Sequence, residues 1–336
     1  MKFRLTAVIV LALCLSNAFA DEGMWLLGNL KKNKQTDRVM RELGLQMPVN
    51  KLYNPKKPCL ADAVVSFGGF CSGVVVSEDG LVFTNHHCGF SSIQQHSSVE
   101  HDYLKDGFVA RSLEEELPNP ELYVRFLLRT ENVTKRVLSA AKHAKTESER
   151  RVAVDSVMNV IGMEVSEKDS TLTGIVDAYY AGNEFWLSVY RDYNDVRLVF
   201  APPSSVGKFG WDTDNWMWPR HTGDFSVFRV YAGPDNKPAD YAPENRPYKA
   251  EKFLKISLGG YDEGDFAMIM GFPGSTSRYM TSFEIDRMLD IENPQRIFIR
   301  GERQAILKED MAASAKVRIL SLIHISEPTR LQLISY

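Results

Sequence analysis

The stretch Phe70–Cys88, FCSGVVVSEDGLVFTNHHC, decides how the chain is read. Gly73 to Val76 is β-rich, Ser77-Glu78-Asp79-Gly80 is a turn sequence, and Leu81-Val82-Phe83-Thr84 returns as a second β run. A further β-rich run, 63–67, precedes them across Gly68-Gly69. The unit is strand, turn, strand, ending on Asn85-His86-His87-Cys88. Cys71 and Cys88 flank the hairpin, which makes them the best-placed pair for a disulfide. Zinc held by His86, His87 and Cys88 is the competing use of these side chains. Adjacent residues rarely converge on one ion, and no C-x-x-C or H-x-x-x-H spacing supports it, so no metal site is expected.

Outward from this unit, both termini read differently from the middle. Lys2 and Arg4, the apolar run Leu5–Leu15 and the small-x-small Ala18-Phe19-Ala20 make residues 1–20 a secretory signal peptide cleaved before Asp21. The apolar run falls short of the roughly 20 residues of a spanning helix, so an exported, periplasmic or secreted protein without a stable membrane anchor is expected. An oxidising compartment suits the disulfide and leaves Cys59 over. At the other end, Leu320–Arg330 (LSLIHISEPTR) resembles the translation of a sequencing-library adapter, and Pro328 and the mixed pattern break any helical period. Residues 320–336 are therefore set aside as an adapter-derived artefact on a truncated frame, and His324 and Ser326 carry no functional weight.

Between the ends, 44% hydrophobic and 25% charged residues exclude collagen-like, low-complexity and wholly disordered chains. A net charge of −3 gives no electrostatic pull toward nucleic acid. After the hairpin, residues 91–116 are polar, and Leu122–Leu128 is strand-like. The Ala-, Glu-, Lys- and Arg-rich stretch from about 131 to 188 reads as a helical insertion. Strands resume at Arg197–Phe200, Phe225–Tyr231 and Phe266–Gly271, and 281–319 turns helical again. The expected organisation is a β-barrel over 21–280 with the insertion, then the start of an α-helical domain at 281–319.

Chemistry concentrates in two places. The half-cystine, hairpin and His preceding a second half-cystine resemble chymotrypsin-like peptidases, where the imidazole is presented beside the disulfide. By that pattern His87 is the general base and His86 a packed neighbour. The orienting carboxylate of such enzymes opens a strand, as Asp224 does before Phe225-Ser226-Val227-Phe228-Arg229-Val230. Alternation puts Ser226, Phe228 and Val230 on one face of that strand. A turn Asp after Gly223 is the bland reading, and Asp212 and Asp214 begin no strand. The nucleophile is missing: Gly274-Ser275-Thr276 lacks the Gly that should follow the serine, and it reads as a structural turn. A Trp-rich loop, Gly207–Asp224 with Trp211, Trp216 and Trp218, offers an aromatic and amide wall for a peptide terminus, with Asn215 as an amine acceptor.

Several segments together resemble the bacterial dipeptidyl-peptidase 7 and 11 family of serine exopeptidases. They are Asp21-Glu22-Gly23-Met24-Trp25, Thr84-Asn85-His86-His87-Cys88-Gly89, His96–Leu104, and Ala201-Pro202-Pro203 through Asp224. The resemblance covers about 21–319. It implies a mainly β protein with helices: the first barrel of a chymotrypsin-like double β-barrel, with a helical domain inserted before the second. It also implies release of dipeptides from the N-terminus of oligopeptides without a cofactor. His87 would be the base, Asp224 the orienting acid, and Asn215 and Trp216 the holders of the substrate's N-terminal region. The family's serine would lie beyond residue 319, so the polypeptide as written is expected to be inactive. A homodimer of the full-length protein is compatible with this reading. Two alternatives are a non-catalytic peptide-binding barrel and a trypsin-like endopeptidase.

Overall fold

The computed structural model describes residues 25–30, 34–211, 218–274 and 280–326. The signal-peptide reading, Asn215, Trp216 and Ser275 lie outside these residues. Strands are β1 (Val64–Phe67), β2 (Cys71–Val75), β3 (Leu81–Thr84), β4 (Phe108–Val109), β5 (Leu117–Pro118) and β6 (Val124–Asn132). They continue as β7 (Leu172–Tyr179), β8 (Glu184–Tyr193), β9 (Asp195–Ala201), β10 (Ser226–Ala232) and β11 (Arg246–Pro247). All join one antiparallel sheet in the order β4-β9-β10-β3-β2-β1-β6-β8-β7, with β11 on β10 and β5 on β9.

The hairpin at the heart of the sequence forms as read. Ser77 Oγ accepts the N–H groups of Asp79 and Leu81, closing the turn, and Gly80 takes φ +67° where a side chain would strike the Val230 carbonyl. Inward residues of β1, β2, β3, β6, β9 and β10 (Val65, Val75, Val82, Val124, Leu198 and Phe228) meet in one core, so the sheet coils around it. Ser226, Phe228 and Val230 share the fully buried face of β10.

The opposite face of β9 and β10 carries a buried polar layer. Glu116 accepts from Arg229 Nε at 2.9 Å and from the Tyr231 hydroxyl at 2.8 Å. Arg197 is gripped by both carboxylate oxygens of Asp195 and lies 3.6 Å from the Tyr231 ring centroid. Each charge thus meets a partner, which its burial requires.

Three expectations are corrected. The helical insertion ends early: helices occupy Thr134–Ala140 and Glu147–Lys168, and from Leu172 onward the chain forms the long strand pair β7–β8. Leu172–Val176 and Phe185–Tyr190 are rich in β-branched and aromatic residues, and Tyr180, Ala181 and Gly182 turn with positive φ. The helices cover this pair through Val137, Ile161, Val165, Val176 and Leu187. Second, Phe266–Gly271 is not a strand. No described segment offers it a ladder partner, and Ile269 stays 99% exposed. Third, 320–326 is helical, because the helix Ala315–Ser326 runs on until shortly before Pro328 and buries Ile319 and Leu322. The expected helical turn after 281 is present as Ser282–Arg287 and Asn293–Ala313. No helix among the described residues is long and apolar enough to cross a membrane.

Candidate active site

Register brings the two ends of the site together. β3 and β10 are neighbours with Thr84 opposite Ser226, so the residues just after Thr84 meet those just before Ser226. Asn85 stands at the N-cap position of the helix His86–Gln95 without a side-chain capping bond, which places His87 in the first turn. The Asp224 carboxylate faces that turn. One oxygen accepts the His87 backbone N–H at 3.1 Å, a group the helix itself leaves without an acceptor. The other lies 2.7 Å from His87 Nδ1 and also accepts from Asn85 Nδ2 at 3.2 Å. Asn85 is held in turn, donating to the Asp224 carbonyl and accepting on its own carbonyl from Ser226 Oγ at 2.9 Å.

Burial divides the pair by task. The His87 side chain is 55% exposed and the Asp224 side chain 15%. Burial works to raise the Asp224 pKa, but the hydrogen bonds and charge interaction with His87 outweigh it and hold the carboxyl below its ordinary value. The carboxylate is therefore ionised near neutrality, accepts the Nδ1 proton, and leaves Nε2 of His87 as the nitrogen that can take a proton from a nucleophile.

Cys71 and Cys88 are joined as a disulfide next to this helix turn. Ligand atoms of Cys71, His87 and Cys88 lie within 4.8 Å of one another. With the two sulfurs bonded to each other, neither is a thiolate available to an ion. Cys59 is buried and unbridged, donating from its thiol to Asp62.

Beside the pair lies the loop that follows β9. Val206, Phe209, Trp211 and Trp218 are exposed on it, and Lys208 sits 5.0 Å from the Trp211 ring. Gly223 N–H bonds the Val206 carbonyl at 2.9 Å, and the Thr222 hydroxyl donates to the carbonyls of Val206 and Gly207. The loop and the approach to Asp224 are thereby one unit. Of the residues singled out from sequence, His87 and Asp224 are brought together. Asn85 and Ser226, which lock them, carry no signal beyond lying one or two residues away. The helix at His86 was also not legible.

The Peptidase S46 family profile matches residues 20–326. The chain belongs to the peptidase S46 family. It is 51% identical over 321 residues to the dipeptidyl-peptidase 7 of Porphyromonas endodontalis, covering 95% of this chain and 39% of that protein. To the Asp/Glu-specific dipeptidyl-peptidase of Porphyromonas gingivalis it is 46% identical, covering 95% and 45%. Among solved structures, the Porphyromonas endodontalis DPP11 in complex with dipeptide Arg-Glu superposes with a TM-score of 0.83 at 41% identity, over 92% of this chain and 44% of that one. The S46 chain described here thus spans less than half the length of these relatives. Residues 320–326 fall within the matched range.

Proposed function

We propose that the full-length protein is an exported serine-type dipeptidyl peptidase that removes dipeptides from the N-terminus of oligopeptides. The observation that carries this reading is the 2.7 Å contact of His87 Nδ1 with Asp224 Oδ2, beside a disulfide and at the start of a helix. In the reaction, His87 takes the proton of a serine hydroxyl supplied by chain beyond residue 319. The serine oxygen attacks the carbonyl of the second residue, and Asp224 stabilises the imidazolium that forms. The protonated imidazole then gives its proton to the departing amine, leaving a dipeptidyl ester on the serine. Water, deprotonated by His87, hydrolyses the ester and restores the enzyme.

The second catalytic barrel belongs to this proposal, and so does a substrate wall made by the Trp-rich loop with Asn215 and Trp216. A relative solved with a bound dipeptide supports a dipeptide-sized acyl site. Ser275 is not assigned the nucleophile's part, and this polypeptide by itself is expected to hydrolyse nothing. The test is mass-spectrometric product analysis of the full-length protein on one oligopeptide with a free and with an acetylated N-terminus. Dipeptides from the free peptide alone are expected. Equal cleavage of both, or internal cuts, would overturn the exopeptidase reading.

A further inference from the structure

His86 is not used by the reaction described above, yet it is almost completely buried at the centre of the site. It opens the helix whose next residue is His87. Its ring packs edge-on against Phe90, one turn along, at a centroid distance of 5.8 Å. On its other side lies Gly207. A methyl group added at Gly207 would come within 2.4 Å of the Cγ and Cδ2 atoms of His86, far inside van der Waals contact.

Gly207 belongs to the unit that carries Asp224. The Val206 and Gly207 carbonyls are tied to Thr222 and Gly223, immediately before Asp224. The His86 ring therefore stands between the two halves of the site, the helix turn that presents His87 and the loop that delivers Asp224. Neither ring nitrogen meets hydrogen-bond geometry with another of the described residues, and the Pro202 backbone, a weak hydrogen-bond partner of the ring, is the only such group close to it among them. Burial, with His87 and Lys208 adding positive charge nearby, pushes the pKa of His86 down to about 4 against the pull of Asp224. The ring is neutral at neutral pH, and its packing is what it contributes.

We infer that His86 is a positioning residue: its ring, seated between Phe90 and Gly207, sets the spacing of His87 and Asp224 by shape. This rests on the assignment of those two as base and orienting acid. The ring-to-glycine contact has no slack, so a change of one methyl group on either side is transmitted to a 2.7 Å hydrogen bond.

The test reads that hydrogen bond directly, without turnover. The far-downfield proton resonance of His87 Nδ1–H against Asp224 is recorded in this chain for wild type, Gly207→Ala, His86→Ala and His86→Leu, with circular dichroism to verify folding. Gly207→Ala and His86→Ala are expected to lose the resonance, and His86→Leu, which refills the space, to keep it. Gly207→Ala in a His86→Ala background should be less damaging than in wild type. In the full-length protein the same Gly207→Ala change should lower kcat roughly 10²-fold with KM little changed. A silent Gly207→Ala overturns the inference, as does His86→Leu losing the resonance as completely as His86→Ala. If Gly207→Ala does not fold, the His86 pair alone decides. Failure of the catalytic reading looks different, because His87→Ala would then leave turnover intact while the resonance still followed the Gly207 and His86 variants.

Discussion

Replacing Asp224 by Asn separates orientation from stability. The amide keeps the size of the carboxylate and one oxygen, so it can still accept the His87 backbone N–H that now lies 3.1 Å from Oδ1. The NH2 group then faces His87 Nδ1, where an acceptor stood at 2.7 Å. The imidazole can satisfy that donor only by accepting at Nδ1, which moves its proton to Nε2 and removes the base. The expected loss in kcat is roughly 10⁴-fold, the size seen when the same swap is made in a Ser-His-Asp triad. The stability cost is small by comparison. The helix-end bond survives, and the lost charge-assisted bond reaches a half-exposed imidazole, so about 1 kcal/mol is expected after allowing for solvent screening. That corresponds to about 2–4 °C in Tm. Turnover of a chromogenic dipeptidyl substrate by the full-length protein, with thermal unfolding of the same samples, reads both quantities. Activity within tenfold of wild type would refute the orientation argument. A fall in Tm beyond 10 °C would show that the loss of activity was a loss of fold.

Other consequences concern the scaffold. Replacing both Cys71 and Cys88 by Ala opens a loop of sequence separation 17 and should cost about 3 kcal/mol in urea unfolding; an unchanged midpoint would contradict this. Glu116→Ala strips the acceptor from half-buried Arg229 and buried Tyr231 and should cost roughly 3 kcal/mol, whereas a surface exchange such as Glu42→Ala should stay within about 0.5 kcal/mol. His86 gives a pH dependence of known sign. Its folded pKa of about 4 lies below the unfolded value of 6.5, so the unfolded state binds the extra proton between them. Stability is therefore full above about 6.5 and falls toward pH 4, by roughly 3 kcal/mol. The slope should flatten in His86→Leu, and a wild-type profile flat between those limits would refute it.

What the sequence made legible was local. Strands β1 to β3 announce themselves by β-branched runs around Gly80, and the strand after Asp224 by its alternation. His87 and Asp224 could be paired because a motif tied each to the end of a strand. The helix His86–Gln95 was hidden because HHCGFSSIQQ holds few good helix formers. It is stabilised from outside, by burial of Phe90 and Ile93 and by the Asp224 carboxylate at its first turn. The pair β7–β8 was masked by the charged helix before it, whose composition was extended too far. Phe266–Gly271 failed for the opposite reason: the pattern suits a strand, but no partner strand exists among the described residues. The role of Gly207 depends on a neighbour 121 positions away and has no local signature.

The central claim is that His87, oriented by Asp224, is the base of a peptidase acting on free N-termini. The most direct measurement is release of the N-terminal dipeptide from a free oligopeptide by full-length wild type and its His87→Ala variant, matched for Tm and disulfide content. The account predicts dipeptide from wild type and a loss of at least 10³-fold in the variant. Turnover by His87→Ala within tenfold of wild type would contradict it.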